Sequence, residues 1–351
     1  MVNGIAAWIA LALALALQPK PAGELRSDNG SIERSAPELD DLVPSKARIE
    51  VLATGFGWSE GPVWIGQGGG YLLFSDVPAN RIHRWTATEG ASLFLHPSGG
   101  TVRAGFREPG ANGLKPGGST SILVADQGNR AIARLDLRTK AKRFLARRFK
   151  GKKFNSPNDL AVGPDGSIWF TDPPYGLEGI NASPLKEQPV NGVYRLAPDG
   201  QVALVESGLR FPNGIAFSRD GATLYVSNSD PARAVILSYQ VAADGALSRR
   251  RVFSDMTALA WKGLPGLPDG MTVDERGNLW ATGPGGVHVF RPDGRELGLI
   301  STGAAISNCA FGGSDGRTLF MTSGNKVAAV QTKVRGAPHR LPPVTPRAPS
   351  S

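Results

Sequence analysis

The sequence predicts an all-β chain folded as a six-bladed β-propeller with a metal-binding central channel. Three observations predict it: a turn-rich composition, six short apolar runs, and one acid or amide position that recurs before every run. Gly 45 and Pro 27 make about one residue in five of the 351 a turn former, without a collagen-like period. That composition suits many short strands rather than long helices. With 41% hydrophobic and 20% charged residues the chain has material for a large core, which excludes a disordered polymer. The single cysteine, Cys309, excludes an internal disulfide framework, a Cys-rich zinc site and a CxxC redox centre.

In chain order, the first element is an uninterrupted apolar run from Ile5 to Leu17, followed by Gln18-Pro19-Lys20-Pro21. It is too short to span a bilayer comfortably and reads as the apolar region of a secretory signal peptide over residues 1–23. No Lys or Arg precedes it, so a short anchor or a mis-assigned start is the other reading. Export implies a periplasmic or secreted protein with no stable membrane span once the signal is removed. Residues 24–45 are polar and mixed in charge and read as a linker; residues 335–351 are Pro-rich and read as a disordered tail.

Between them, residues 46–334 carry six nearly all-apolar runs: Leu72 to Phe74, Ile122 to Val124, Ile168 to Phe170, Leu224 to Val226, Leu279 to Ala281 and Leu319 to Met321. Several are entered through turns such as Pro164-Asp165-Gly166 and Ser314-Asp315-Gly316, and most end in Ser, Thr, Asp or Asn. Lack of alternation means that both faces of each strand are covered, as in sheets sandwiched between neighbours. Upstream of the runs stand Glu60, Asn112, Asn158, Asn213, Asp269 and Asn308, each followed by Gly, Asp or Cys and then apolar residues. The separations from these positions to the runs are 12, 10, 10, 11, 10 and 11 residues. Successive positions lie 52, 46, 55, 56 and 39 residues apart, the length of a four-stranded blade. The last repeat is short of strands, and Ile49 to Leu52 is strand-like, so it is expected to supply the outer strand of the final blade and close the ring. A β-sandwich would not predict the same polar position in every unit.

Innermost strands of a propeller line its channel, so these six residues should converge on the axis. Six polar groups, two of them carboxylates, would repel and lack partners unless a cation or waters filled the centre. Their hard oxygen donors, with no thiolate or imidazole, favour Ca²⁺, then Mg²⁺ or Mn²⁺. The bland reading, in which each is a turn residue bonding its own backbone, fits any one of them but not six in register.

Other motifs carry less. Gly57-Trp58-Ser59-Glu60-Gly61 matches G-x-S-x-G, but Pro62 and the glycines from Gly66 to Gly70 deny it the helix a Ser59 nucleophile needs. His83, His96, His288 and His339 show no ligand spacing. The net charge of +9 is carried by the segment from Arg134 to Lys153, with ten basic residues against Asp136. It reads as a solvated outer strand and loop, with no nucleic-acid partner expected; an anionic-surface patch is the alternative.

The strings Glu60-Gly61-Pro62-Val63-Trp64, Asn155-Ser156-Pro157-Asn158-Asp159-Leu160, Phe170-Thr171-Asp172-Pro173-Pro174-Tyr175-Gly176, Pro212-Asn213-Gly214-Ile215, Pro268-Asp269-Gly270-Met271 and Asn308-Cys309-Ala310-Phe311-Gly312-Gly313 resemble the gluconolactonase branch of the SMP-30/gluconolactonase/luciferin-regenerating family. The resemblance runs from about Val51 to Met321. It implies one catalytic divalent cation (Ca²⁺, with Mg²⁺, Mn²⁺ or Zn²⁺ as options) and hydrolysis of a sugar lactone. By matching motifs it implies Glu60, Asn158, Asn213 and Asp269 as metal ligands, Asp269 also as general base, and Asn112 in the substrate pocket. Asn308 is assigned to the pocket wall or to the support of the ligands. Two departures bear on substrate choice: Asp126-Gln127 where many relatives have Glu-His, and a slightly shortened segment from Phe106 to Ala111 before Asn112. The rival function is a non-catalytic propeller binding a sugar or protein partner, with hydrolysis of another ester or phosphoester as a variant on the same scaffold; the presence of both Glu60 and Asp269 favours the enzyme over the binder.

Overall fold

A computed structural model describes residues 29–341. Two strands precede the ring, β1 (Ser31–Arg34) and β2 (Ile49–Thr54). Blade one is β3 (Ser59–Ile65), β4 (Tyr71–Asp76), β5 (Arg81–Thr86) and β6 (Gly90–Leu95). Blade two is β7 (Ala111–Gly118), β8 (Ser121–Asp126), β9 (Ala131–Asp136) and β10 (Lys142–Ala146), followed by a small hairpin, β11 (Arg148–Phe149) and β12 (Lys152–Lys153). Blade three is β13 (Leu160–Val162), β14 (Ile168–Asp172), β15 (Gly192–Leu196) and β16 (Val202–Glu206). Blade four is β17 (Pro212–Phe217), β18 (Thr223–Asp230), β19 (Arg233–Val241) and β20 (Leu247–Asp255). Blade five is β21 (Met271–Val273), β22 (Leu279–Gly283), β23 (Gly286–Phe290) and β24 (Glu296–Ser301). Blade six is β25 (Asn308–Gly312), β26 (Thr318–Ser323) and β27 (Lys326–Gln331), completed by β2 in the order β2-β27-β26-β25. This is the six-bladed propeller the spacing predicts, closed by the strand that begins at Ile49.

The apolar runs are the second strands of the blades, and their packing explains why they do not alternate. Neighbouring residues of one strand feed opposite interfaces. Phe170 enters the core between blades two and three, and Trp169 the core between blades three and four. Tyr225 and Trp280 repeat the pattern: each leaves its strand neighbours in one core and fills the next. Six such clusters, one per interface, surround the axis. Burial of this apolar area is the main stabilising term, about 25 cal/mol per Å².

Residues 24–45 differ from the expected linker wherever they are described. β1 pairs with β24 and makes blade five five-stranded. Pro37–Asp41 form a 3-10 turn that places Leu39, with Leu42 and Val43 behind it, in the core between blades five and six. Three apolar side chains in a polar stretch suffice to dock it. The start of the C-terminal tail is also attached: Gly336 bridges Asp274, Ala337 N–H donates to Val273 O at 2.8 Å, and Arg340 donates to the carbonyl of Ser218 at 3.3 Å. The signal-peptide segment 1–23 and residues 342–351 lie outside the described residues. No helix among the described residues is long and apolar enough to cross a membrane.

The basic segment forms the outermost strand of blade two and the adjoining hairpin, with Arg143, Arg147, Arg148, Lys152 and Lys153 exposed. Three long connections, 96–110, 173–191 and 256–270, the last containing α1 (Thr257–Trp261), join the strand ends on the face of the ring where the six polar residues stand.

Candidate functional site

Each of the six residues sits where its innermost strand begins: Glu60, Asn112 and Asn213 are second in β3, β7 and β17, Asn308 is first in β25, and Asn158 and Asp269 lie two residues before β13 and β21. All but Asp269 are 2% to 5% exposed, and Asp269 is partly open. After Glu60 and Asn213 the next residue must let neighbouring inner strands meet backbone to backbone. At Gly61 (φ +50) a Cβ would lie 2.2 Å from Asn112 O, and at Gly214 it would lie 2.0 Å from Asp269 O. Only glycine fits there.

The ends of the apolar runs hold the ring in place. Ser75 Oγ donates to Asn112 O at 2.7 Å, Thr171 Oγ1 to Asn213 O at 2.6 Å, and Ser227 Oγ to Asp269 O at 2.9 Å. Thr282 Oγ1 donates to Ser307 O at 3.3 Å. A hydroxyl one residue beyond a run thus grips the backbone of the next blade's axial segment. Blade two has Ala125 at this place, and there Gly113 N–H donates to Asn158 O at 2.8 Å instead. Satisfying the main-chain oxygens from behind leaves the axial side chains free of structural duty.

Those side chains are under electrostatic stress. Glu60 Oε2 accepts from Gly61 N at 3.0 Å and Asn308 Nδ2 at 3.4 Å, yet burial pushes its carboxyl up to about 8, helped by the charge of Asp159. Asp269 is raised well above the carboxylate range, first by burial and then by Glu60, Asp159 and Glu108. Asp159, also buried, has Oδ1 3.7 Å from Lys115 Nζ. The side-chain oxygens Oδ1 of Asn112 and Oδ1 of Asn213 are buried without a hydrogen-bond partner. Crowded carboxyls beside orphaned amide oxygens are the donor set of a hard divalent cation, so the residues fit such a group. Among the described residues no cluster of three or more His, Cys, Asp or Glu forms a metal site; the axial set depends on asparagines.

Glu60 and Asn308 are in direct contact, and Asp269 lies within reach of the charge on Glu60. Ser59 is fully buried, and its Oγ donates to the carbonyls of Gly324 (3.0 Å) and Lys326 (2.8 Å), so it is a structural hydroxyl within a strand. His288 is a packing histidine, between Glu296 (2.8 Å) and Pro284 O (3.0 Å), and Cys309 is buried. Sequence reasoning missed Asp159 and Lys115, and it missed the use of the hydroxyls, although the polar ends of the runs were visible. It also missed a cluster at the mouth, where Glu108 and Tyr175 both sense Asp269. Gln127, at the departure from Glu-His, is fully buried with both amide atoms unpaired.

Comparison with known proteins agrees with this architecture. Residues 58–325 match the profile of the SMP-30/Gluconolactonase/LRE-like region. The chain is 47% identical over 313 residues to a gluconolactonase of Zymomonas mobilis, covering 88% of this chain and 87% of that one. It is 31% identical over 284 residues to the pentonolactonase XacC of Haloferax volcanii, covering 78% and 84%. The solved structure of a gluconolactonase from Xanthomonas campestris superposes with a TM-score of 0.75 at 33% identity, covering 89% and 98%. Blade count, axial residues and matched span lead to one assignment: the chain belongs to the SMP-30/gluconolactonase/LRE-like family.

Proposed function

We propose that this protein is a carboxylic-ester hydrolase that opens sugar lactones, with one divalent cation, Ca²⁺ by preference, held by Glu60, Asn158, Asn213 and Asp269. The activities named for its relatives support the reaction class. The observation that carries the site is a pair of strained buried carboxyls, Glu60 raised by burial and Asp159, and Asp269 raised by burial and Glu60, beside the unpaired amide oxygens of Asn112 and Asn213. The chemistry such a cation supplies is polarisation of the lactone carbonyl. Asp269 takes a proton from the attacking water as its oxygen joins the carbonyl carbon, and returns it to the ring oxygen as that C–O bond breaks, giving the hydroxy acid. Asn308, held between Glu60 and the N–H of Cys309 (2.9 Å), keeps Glu60 oriented, and Asn112 offers its amide to substrate.

The apolar run over Ile5 to Leu17, outside the described residues, supports export to the periplasm or beyond. The gluconolactonase and pentonolactonase activities named for its relatives favour the catalytic reading over a purely binding propeller. The test is to strip the protein with chelator and follow acid release from D-glucono-1,5-lactone after adding Ca²⁺, Mg²⁺, Mn²⁺ or Zn²⁺. Metal-restored hydrolysis above the spontaneous rate is expected. A rate equal to background with every ion would overturn the proposal.

A further inference from the structure

The connection from blade one to blade two is stitched across the mouth of the channel. The N–H groups of Arg107 (2.9 Å) and Glu108 (3.2 Å) both donate to Gly176 O, Glu178 N–H donates to Gly105 O (2.9 Å), and Phe106 bridges Leu177. This fixes Glu108 four residues before Asn112 and beside Tyr175. The Tyr175 ring stacks on Phe211 with centroids 5.6 Å apart and planes at 15°, two residues before Asn213. Nearby, Ser229 Oγ accepts from Asn213 Nδ2 at 2.9 Å and donates to Pro268 O at 2.5 Å. Gln127 backs this wall: a Cβ on Gly176 would lie 3.0 Å from its Oε1.

Glu108 is an expensive residue for such a place. Its side chain is only 15% exposed, and its one ion pair, Arg107 Nη2 to Oε1 at 2.5 Å, engages a single oxygen. Burial raises its carboxyl despite Arg107, and its charge further raises Asp269. A largely buried acid with an oxygen outside its ion pair, a guanidinium donor, a tyrosine hydroxyl and a flat aromatic pair together form a surface complementary to a polyol. The carboxylate accepts from hydroxyls, the guanidinium donates to them, and the stacked rings face C–H groups.

We propose that Glu108, oriented by Arg107 and flanked by Tyr175, binds the ring hydroxyls of the substrate and thereby selects polyhydroxylated lactones over bare ones. This rests on the lactonase reading and extends it to substrate choice. The Arg107–Glu108 pair determines which lactone is held, while the axial residues determine what is done to it. A site built to hydrogen-bond a hydroxyl discriminates strongly against an analogue lacking it, because its own polar groups are then left unpaired.

The experiment compares kcat/KM for D-glucono-1,5-lactone and for δ-valerolactone, the same ring without hydroxyls, in the metal-loaded wild-type protein and in Glu108→Gln. Expected is a fall of roughly tenfold or more in the ratio of the two values, with thermal midpoints close to wild type. A ratio within twofold of wild type overturns the assignment, whether both rates fall together or neither does. If wild type leaves δ-valerolactone intact, competitive inhibition by D-glucitol carries the comparison: weakening of fivefold or more in Glu108→Gln supports hydroxyl binding, and unchanged inhibition overturns it. Wild-type protein that opens neither lactone overturns the lactonase reading and this assignment with it. Wild-type activity with unaltered selectivity in Glu108→Gln overturns this assignment alone.

Discussion

At one end of the innermost strands stand Glu60, Asn112, Asn158, Asn213, Asp269 and Asn308, with amide oxygens unpaired and carboxyls crowded together. At the other end, a few residues further along the same strands, Val63, Ile215, Phe217, Met271 and Phe311 line a cavity of about 110 Å³ closed over by residues 336–340. Of its polar lining residues, Lys115 is paired with Asp159. The rear is lined mainly by apolar side chains, whereas the front crowds two carboxyls together and leaves the amide oxygens of Asn112 and Asn213 unpaired. A stretch of protein that leaves buried donors and acceptors unpaired, when the next residues show how easily they could be avoided, is held for function rather than for stability.

The most direct way to break this comparison is at Asp269. Asp269→Asn should lower kcat by roughly 10²–10⁴-fold, the usual contribution of a positioned proton acceptor, as measured by acid release from D-glucono-1,5-lactone. It should also leave the thermal midpoint in chelator equal to or above that of wild type, because it removes one of two opposed carboxyls. A large loss of stability in chelator would mean that the front is structural after all. The converse variant lies in the interface between blades five and six. Trp280 is fully buried in that core, and its Nε1 donates to Asp274 Oδ2 at 3.0 Å. Trp280→Ala should cost about 3–5 kcal/mol in urea unfolding, with the Ca²⁺ affinity of the folded protein retained.

The third test sharpens the contrast through pH. In metal-free protein Glu60 holds its proton up to about 8, above the ordinary carboxylate value, because it is buried near Asp159. The folded state therefore binds this proton more tightly than the unfolded chain. Stability from this source is full below the ordinary carboxylate range and is lost as pH rises through about 8. A bound cation reverses the sign, since it needs the carboxylate. The Ca²⁺-induced rise in thermal midpoint should thus grow between pH 6 and 8, approaching roughly 2.7 kcal/mol of stabilisation when Ca²⁺ is 100 times its dissociation constant. A calcium effect that is flat with pH would place the ion elsewhere.

How much of this was legible in the chain depends on whether the signal was periodic. The axial residues repeat, so Glu60 and Asp269, more than 200 residues apart, could be placed on one axis from spacing alone. The docking of Leu39, Leu42 and Val43 was not legible, because three apolar residues in a polar stretch have no period and find their partners only in the folded interface. Glu108 and Tyr175 were hidden for a related reason. They sit on non-repeating connections, and only the hydrogen bonds to Gly176 bring them together. Asp159 was visible as the residue after Asn158, but its pairing with Lys115 depends on a neighbouring blade.

The smallest expected effect concerns the hydroxyls that join the two kinds of region. Thr171 belongs to the wall, fully buried at the end of an apolar run, but its Oγ1 holds the carbonyl of Asn213, an axial residue. Thr171→Val keeps shape and removes both the donor to Asn213 O and the acceptor for Asp159 N–H (3.2 Å), at a cost of about 1–3 kcal/mol. If the hydroxyl only stabilises, calorimetry should show unchanged Ca²⁺ affinity beside that loss. If it also sets the depth of Asn213 in the channel, affinity should weaken several-fold while Ser227→Ala, acting on the carbonyl of Asp269, does the same. Blade two supplies the native control. It has Ala125 in place of the hydroxyl and holds Asn158 through Gly113 N–H instead, so Ala125→Ser should change neither quantity appreciably. A loss confined to Thr171 and Ser227 would show that wall and axis are coupled through these bonds, whereas equal losses at all three positions would reduce the hydroxyls to ordinary packing.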